Sequence, residues 1–170
     1  MDSWDGNAAS AVAMLRVTGG VLNTANFIML RNEHWEFTIT GGEINRTGEA
    51  IALGFRSGST TTAAGAMTVA GGVINNSLLN ITLGQQNNNT ALGTTHLNLN
   101  AGLLINNQIV HSNSTGAATH SYVNFNGGTL RTSNATTLIS TSGSGGTGSL
   151  TAYVNGAFGT FNGGAVIDTN

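Results

Sequence analysis

Charge is what this chain has least of. Of its 170 residues only 7% are charged, lysine is absent, and five arginines against seven carboxylates leave a formal net charge of −2. Nucleic-acid recognition needs a basic stripe on one face, so no nucleic-acid partner is expected. Cysteine is also absent, which excludes a disulfide framework. The lack of proline suits strands whose amides all enter hydrogen-bonded ladders. No run approaches the ~18 consecutive apolar residues of a membrane helix, so no membrane span is expected. Helix signals are weak throughout; the segment from Ala8 to Leu15 reads as strand because it feeds directly into Val17.

What the chain has instead is glycine, set in pairs within one recurring apolar frame: VTGGVLN from Val17, ITGGEIN from Ile39, VAGGVIN from Val69, LNAGLLIN from Leu99, FNGGTLR from Phe125 and FNGGAVI from Phe161. The pairs are Gly19 and Gly20, Gly41 and Gly42, Gly71 and Gly72, Ala101 and Gly102, Gly127 and Gly128, and Gly163 and Gly164. First members at 19, 41, 71, 101, 127 and 163 are separated by 22, 30, 30, 26 and 36 residues. A repeat of that length, too small to bury an apolar face alone, must stack on its neighbours.

The frame also gives strand registers. Two and four residues before the first glycine stand Val17 and Leu15, Ile39 and Phe37, Val69 and Met67, Leu99 and Leu97, Phe125 and Val123, with Phe161 opening the last copy. Three residues after it stand Leu22, Ile44, Ile74, Leu104, Leu130 and Val166. Period-2 alternation places all of these inside, with Thr, Asn, Ser and Arg outside. A third patch follows: Ile28 and Leu30, Ile51 and Leu53, Ile81 and Leu83, Ile109, then Leu138. Three short strands per repeat describe one coil of a right-handed parallel β-helix, an all-β solenoid of about six irregular coils, roughly 30 Å long at ~4.8 Å per coil. The glycines belong at its corners, where φ > 0 carries no steric cost, and Asn23, Asn45, Asn75 and Asn106 beside them form a second expected corner column. A meander of hairpins would not repeat three strand registers in this way.

One domain covers 1–170, with an irregular N-terminal end at 1–12 and a Gly/Ser loop at 140–149. Met1 is followed by Asp2, Ser3, Trp4 and Asp5, without the basic and apolar regions of a signal peptide, so the expectation is a segment of a longer repeat array or a filament subunit.

The motifs HLNLNAGLL, YVNFNGGTL and FTITGGEI resemble the autotransporter-associated β-strand repeat found in passenger regions of bacterial surface and secreted proteins. The resemblance runs over roughly residues 13 to 170, and the closing YVNGAFGTFNGGAVIDTN is similar to units that end such runs. Ala101 departs from it in place of the first glycine, and no membrane-barrel segment is present. The resemblance implies an extracellular or cell-surface location.

Catalysis on a β-helix of the polysaccharide-lyase kind needs clustered carboxylates with Arg or Lys close by. Here Asp2 and Asp5 lie far in sequence from Asp168, while Glu33, Glu36, Glu43 and Glu49 lie near His34, Arg31, Arg46 and Arg56. This group reads as a solvated face rather than a catalytic groove. His34, His96, His111 and His120 lack metal-ligand spacing. Residues five after the first glycine are Thr24, Arg46, Asn76, Asn106, Thr132 and Asp168, which is not a calcium nonapeptide. No catalytic, metal or cofactor site is therefore expected. Two functions remain: a structural or adhesive rod that associates with itself end to end, and a glycan-binding or glycan-cleaving module. A glycan platform wants exposed rings in a row, and Trp4, Phe27, Trp35, Phe55, Tyr122, Tyr153 and Phe158 look scattered, which favours the rod.

Overall fold

The structure is a computed structural model that describes residues 12–25, 28–31, 34–48, 51–57, 63–84, 86–87, 93–112, 119–133, 137–142, 148–154 and 163–169. Every regular element among them is a strand: β1 (Val12–Val17), β2 (Val21–Thr24), β3 (Ile28–Arg31), β4 (His34–Ile39), β5 (Glu43–Arg46), β6 (Ile51–Ser57), β7 (Ala63–Leu83), β8 (Gln86–Asn87), β9 (Gly93–Ser112), β10 (Thr119–Phe125), β11 (Thr129–Thr132), β12 (Ile139–Ser142), β13 (Ser149–Val154) and β14 (Val166–Asp168). The fold is all-β, and every pairing between these strands is parallel.

Each repeat contributes up to three strand segments, and each segment pairs with its counterpart in the next repeat. The first segments run β1–β4–β7–β9–β10–β13. The second run β2–β5–β7–β9–β11–β14, and the third β3–β6–β7–β9–β12. In the central repeats the three segments merge into the long strands β7 and β9, whose mutual register shifts between Val69 and Val73 and between Asn76 and Asn80. The first of those shifts falls at the glycine pair Gly71 and Gly72, where Gly72 has positive φ. The ladder is open, with an edge at β1 and another at β13.

Alternation along each segment sends one set of side chains inward, and in-register pairing stacks that set into columns. Phe37, Met67, Leu97 and Val123 form one column, while Ile39, Val69, Leu99 and Phe125 form the next. A third column is Ile44, Ile74, Leu104 and Leu130, and the third segments add Ile51, Ile81, Ile109, Leu53 and Leu83. All of these are buried, with Leu15 and Val17 packed against them from the first repeat. Each fully buried side chain of this size is worth about 1.5–3 kcal/mol, so the columns supply the main driving force for stacking.

Glycine is required at the first corner for two separate reasons. Gly20, Gly42, Gly72, Gly102, Gly127 and Gly164 all have positive φ, between 69° and 94°. The corners also stack tightly: a Cβ on Gly72 would stand 2.5 Å from the Gly42 carbonyl oxygen, and one on Gly102 would stand 2.6 Å from that of Gly72. Gly19, Gly41, Gly71, Gly128 and Gly163 have ordinary φ, but a Cβ on Gly71 would lie 2.4 Å from the Thr40 carbonyl oxygen.

Several expectations need correction. Leu22, 39% exposed, follows the inward column but belongs to the first repeat, where no layer among the described residues covers it. Val166 is 47% exposed and pairs with Thr129, an outward position; Ile167 is the residue in register with Leu130. A one-residue slip exchanges the two faces, and it is already present at the last glycine pair, where Gly127 N donates to Gly164 O and Gly163 N to Asn126 Oδ1. Phe161 lies outside the described residues, and Val154 takes the place beside Phe125. Ile139, rather than Leu138, is in register with Ile109, although both pack on the core. The expected loop at 140–149 is narrower, since residues 140–142 finish β12 and Ser149 begins β13; residues 143–147 lie outside the described set. The irregular end expected at 1–12 gives way to β1 at Val12, and residues 1–11 are not described.

Candidate functional site

Asparagine falls into two columns where one was expected. Asn23, Asn45 and Asn75 share an outward register, and Asn45 Nδ2 donates to Asn23 Oδ1 at 3.1 Å. Asn106 is not their fourth member: Ile105 pairs with Asn75, and Asn106 pairs with Asn76. The position five after the first glycine, dismissed as a calcium motif, is an inward polar column. Arg46, Asn76, Asn106 and Thr132 are all buried there, and Asn76 Nδ2 donates to Asn106 Oδ1 at 2.7 Å. Asn76 Nδ2 also donates to the Leu79 carbonyl at 3.1 Å, which pins the second corner. Burying Arg46 contradicts its place on a solvated face; His34 and Glu36, both exposed on β4, fit that description, and Glu43 is half-buried. Glu33 and Glu49 lie outside the described residues.

A second interior polar group was not foreseen. His111 occupies the column headed by Leu53 and Leu83, is buried, and its Nδ1 lies 2.9 Å from Ser121 Oγ. Burial, with a smaller contribution from nearby His120, pulls its pKa below the ordinary 6.5, so the ring is neutral at pH 7. Nearby, the row Trp35, Gly65, Thr95 and Ser121 runs inward. Trp35 is buried, and its indole lies where a Cβ on Gly65 would be, 2.2 Å from the nearest ring atoms. One large ring thus fills the space left by a glycine on the next strand.

On the outer face of the same sheet, the rings of His96 and Tyr122 stack with centroids 4.8 Å apart and planes inclined by 19°. Tyr153 continues the stack at 5.9 Å and 18°. Tyr122 and Tyr153, scattered along the sequence, come together here with His96: Tyr122 is in register with His96, and Tyr153, in register with Asn124, reaches Tyr122 diagonally. Stacked rings cover one another's faces, so this column is not a row of open platforms. Beside it Asn124 Nδ2 donates to Asn98 Oδ1 at 2.7 Å, and Asn98 Nδ2 to Thr68 Oγ1 at 3.2 Å. Where the stack stops at His96, a shallow groove of about 480 Å³ opens over Ala64, Gly65 and Ala66, bounded on its far side by His34 and Glu36.

The two ends of the stack are the other candidate surface. Met14, Val21 and Leu22 are exposed at one end, and Val154, Val166 and Ile167 at the other. At the second end Arg131 Nε lies 2.7 Å from Asp168 Oδ2 across β11 and β14. Among the described residues no three His, Asp or Glu side chains gather to hold a metal ion. No helix there is long and apolar enough to cross a membrane, which says nothing about crossing by strands. In comparisons with known proteins, the chain matches no family model, no curated protein and no solved structure.

Proposed function

We propose that this chain is a non-enzymatic structural or adhesive segment: a right-handed parallel β-helix of about six irregular coils, serving as stalk, spacer or self-associating filament on or outside a bacterial cell. The observation that carries this reading is the location of the exposed large apolar residues. Among the residues whose side chains are described, all of them but Leu78 sit in the first and last repeats, and Leu22, Val154 and Ile167 lie in columns that are buried in the repeats between. An end layer with the same columns as the interior is complementary to another such layer, whether from the same polypeptide or a second copy. Three parallel ladders joined by short corners support a helical winding, and the right hand is the one parallel crossovers adopt. The bacterial-surface location rests on the resemblance of the Gly-Gly frames to the autotransporter-associated repeat.

End-to-end contact of this kind uses backbone hydrogen bonds and apolar surface, which salt screens little. Sedimentation of the chain over a range of concentrations should show head-to-tail species that persist at high salt. Ile167→Lys should shorten them while leaving the central repeats folded. A chain that stays monomeric at high concentration, or whose association disappears with added salt, contradicts the reading.

A further inference from the structure

The outer face carries an opening that end-to-end stacking does not use. Glu36, Ala66, His96 and Tyr122 occupy one register row on four successive strands. Adjacent parallel strands stand ~4.8 Å apart, so the Glu36 and His96 backbones are separated by roughly 9.6 Å. Only the Ala66 methyl lies between them. A planar group needs one strand spacing in this stack, as the 4.8 Å between the His96 and Tyr122 centroids demonstrates. The row therefore has a vacant ring position over Ala66, closed on one side by an aromatic face and on the other by a carboxylate.

The chemistry of the two walls selects the occupant. His96 is held neutral at pH 7 because burial lowers its pKa, so its ring does not repel a cation. Glu36 is exposed, and Thr38 Oγ1 donates to its Oε1 at 2.9 Å, which orients the carboxylate while leaving Oε2 for a ligand. Thr68 and Thr94 add hydroxyls at the rim. A flat cation with several N–H donors meets all of these demands, since a guanidinium stacks on aromatic faces and pairs with carboxylates. A nucleobase is also flat, but it arrives on a polyanion that a chain of net charge −2 without lysine does not attract.

We infer that the groove over Ala66, between Glu36 and the His96–Tyr122–Tyr153 stack, is a docking site for an arginine side chain of a partner protein. The site lies on the side of the stack and does not depend on how its ends associate.

The probe is N-acetyl-arginine methylamide, titrated into the full ¹⁵N-labelled chain, with its citrulline and lysine counterparts in parallel. Saturable shifts are expected at the amides of Glu36, Ala66 and His96. The citrulline probe, equal in shape but uncharged, should bind at least about tenfold more weakly, and Glu36→Gln should weaken the arginine probe by a similar factor. His96→Phe, which keeps a ring face, should retain binding that His96→Ala loses, and the dispersion of each variant's spectrum reports whether it folds. Equal binding of citrulline, indifference to Glu36→Gln, or no saturable shift at these amides up to the solubility of the probe overturns the inference. So does a saccharide probe such as cellobiose that shifts these amides when arginine does not.

Discussion

Replacing single corner glycines by alanine separates two effects that the stacked corner combines. At Gly19, φ is ordinary and nothing lies within 4 Å of an added Cβ, so Gly19→Ala should be neutral or slightly stabilising through the unfolded chain. At Gly20, φ is +76° with the same open surroundings, so Gly20→Ala should cost about 1 kcal/mol for the left-handed backbone alone. At Gly72, φ is +71° and the new methyl would stand 2.5 Å from Gly42 O and 2.9 Å from Gly41 C, both backbone atoms that cannot rotate away. Moving them breaks the register of two repeats, so the steric part should add about 1–3 kcal/mol, as overpacking does elsewhere. The expected order of loss is Gly72→Ala, about 2–4 kcal/mol, then Gly20→Ala, then Gly19→Ala near zero, or a melting temperature lowered by roughly 5–15 °C at Gly72 for a chain of this size. Because Gly20 lies in an end repeat, local fraying can only reduce its apparent cost, which preserves the order. Urea unfolding followed by circular dichroism supplies the three values. Equal losses at Gly20 and Gly72 would refute the stacking of corner on corner and leave only the backbone conformation to explain the glycines.

Ile74 is wholly buried, so Ile74→Asp should cost several kcal/mol, whereas Thr68→Asp on the outer face should cost about 1 kcal/mol, the hydrogen bond from Asn98; equal melting temperatures would overturn the inward register. Asn76→Leu alone should be strongly destabilising because it leaves Asn106 Oδ1 without its donor, while Asn76→Leu combined with Asn106→Leu should recover most of the loss; strictly additive losses in that double-mutant cycle would argue against the buried pair. His111 has a folded pKa below 6.5, so between 6.5 and that lower value the unfolded chain binds more protons and stability rises with pH. Acidifying from pH 7 toward 5 should therefore lose stability, and His111→Gln should flatten that slope; an unchanged slope would show that His111 does not titrate on unfolding.

Legibility in the sequence followed the strength of the period. The columns through Phe37, Ile39 and Ile44 were readable because five of the six glycine pairs carry apolar residues at all three offsets, and burial selects those offsets directly. Register failed at the last repeat, where counting from Gly163 pointed to Val166 while pairing with Leu130 falls on Ile167. Offsets counted along one chain cannot sense a residue gained in a connection, and only the ladder to the neighbour fixes it. The polar column was hidden for a different reason. Arg46, Asn76, Asn106 and Thr132 share no residue type that signals burial, so their common offset looked like variation. The ring stack was invisible because His96, Tyr122 and Tyr153 are 26 and 31 residues apart, and no single spacing joins them.

The polar column bears on how an end layer would choose its neighbour. Apolar columns alone tolerate a slipped partner, because leucine, isoleucine and valine at adjacent inward positions pack almost interchangeably. A buried amide does not: a slip of two residues would set Asn76 against Leu104 and strand its donor in a dry interior, at a cost of about 1–3 kcal/mol. The Asn76–Asn106 bond therefore does in the interior what a single buried asparagine does in a coiled coil, trading some stability for one register. At the first repeat the same column ends in Thr24, half-buried and shorter, and at the last it is displaced, with Asp168 turned outward to Arg131. The interior thus specifies its register by buried polar pairing, whereas the ends offer mainly apolar surface. Under the proposed function, contact between ends is weaker and more permissive in register than contact between repeats, which is the difference between a joint that forms on association and a core that forms on folding.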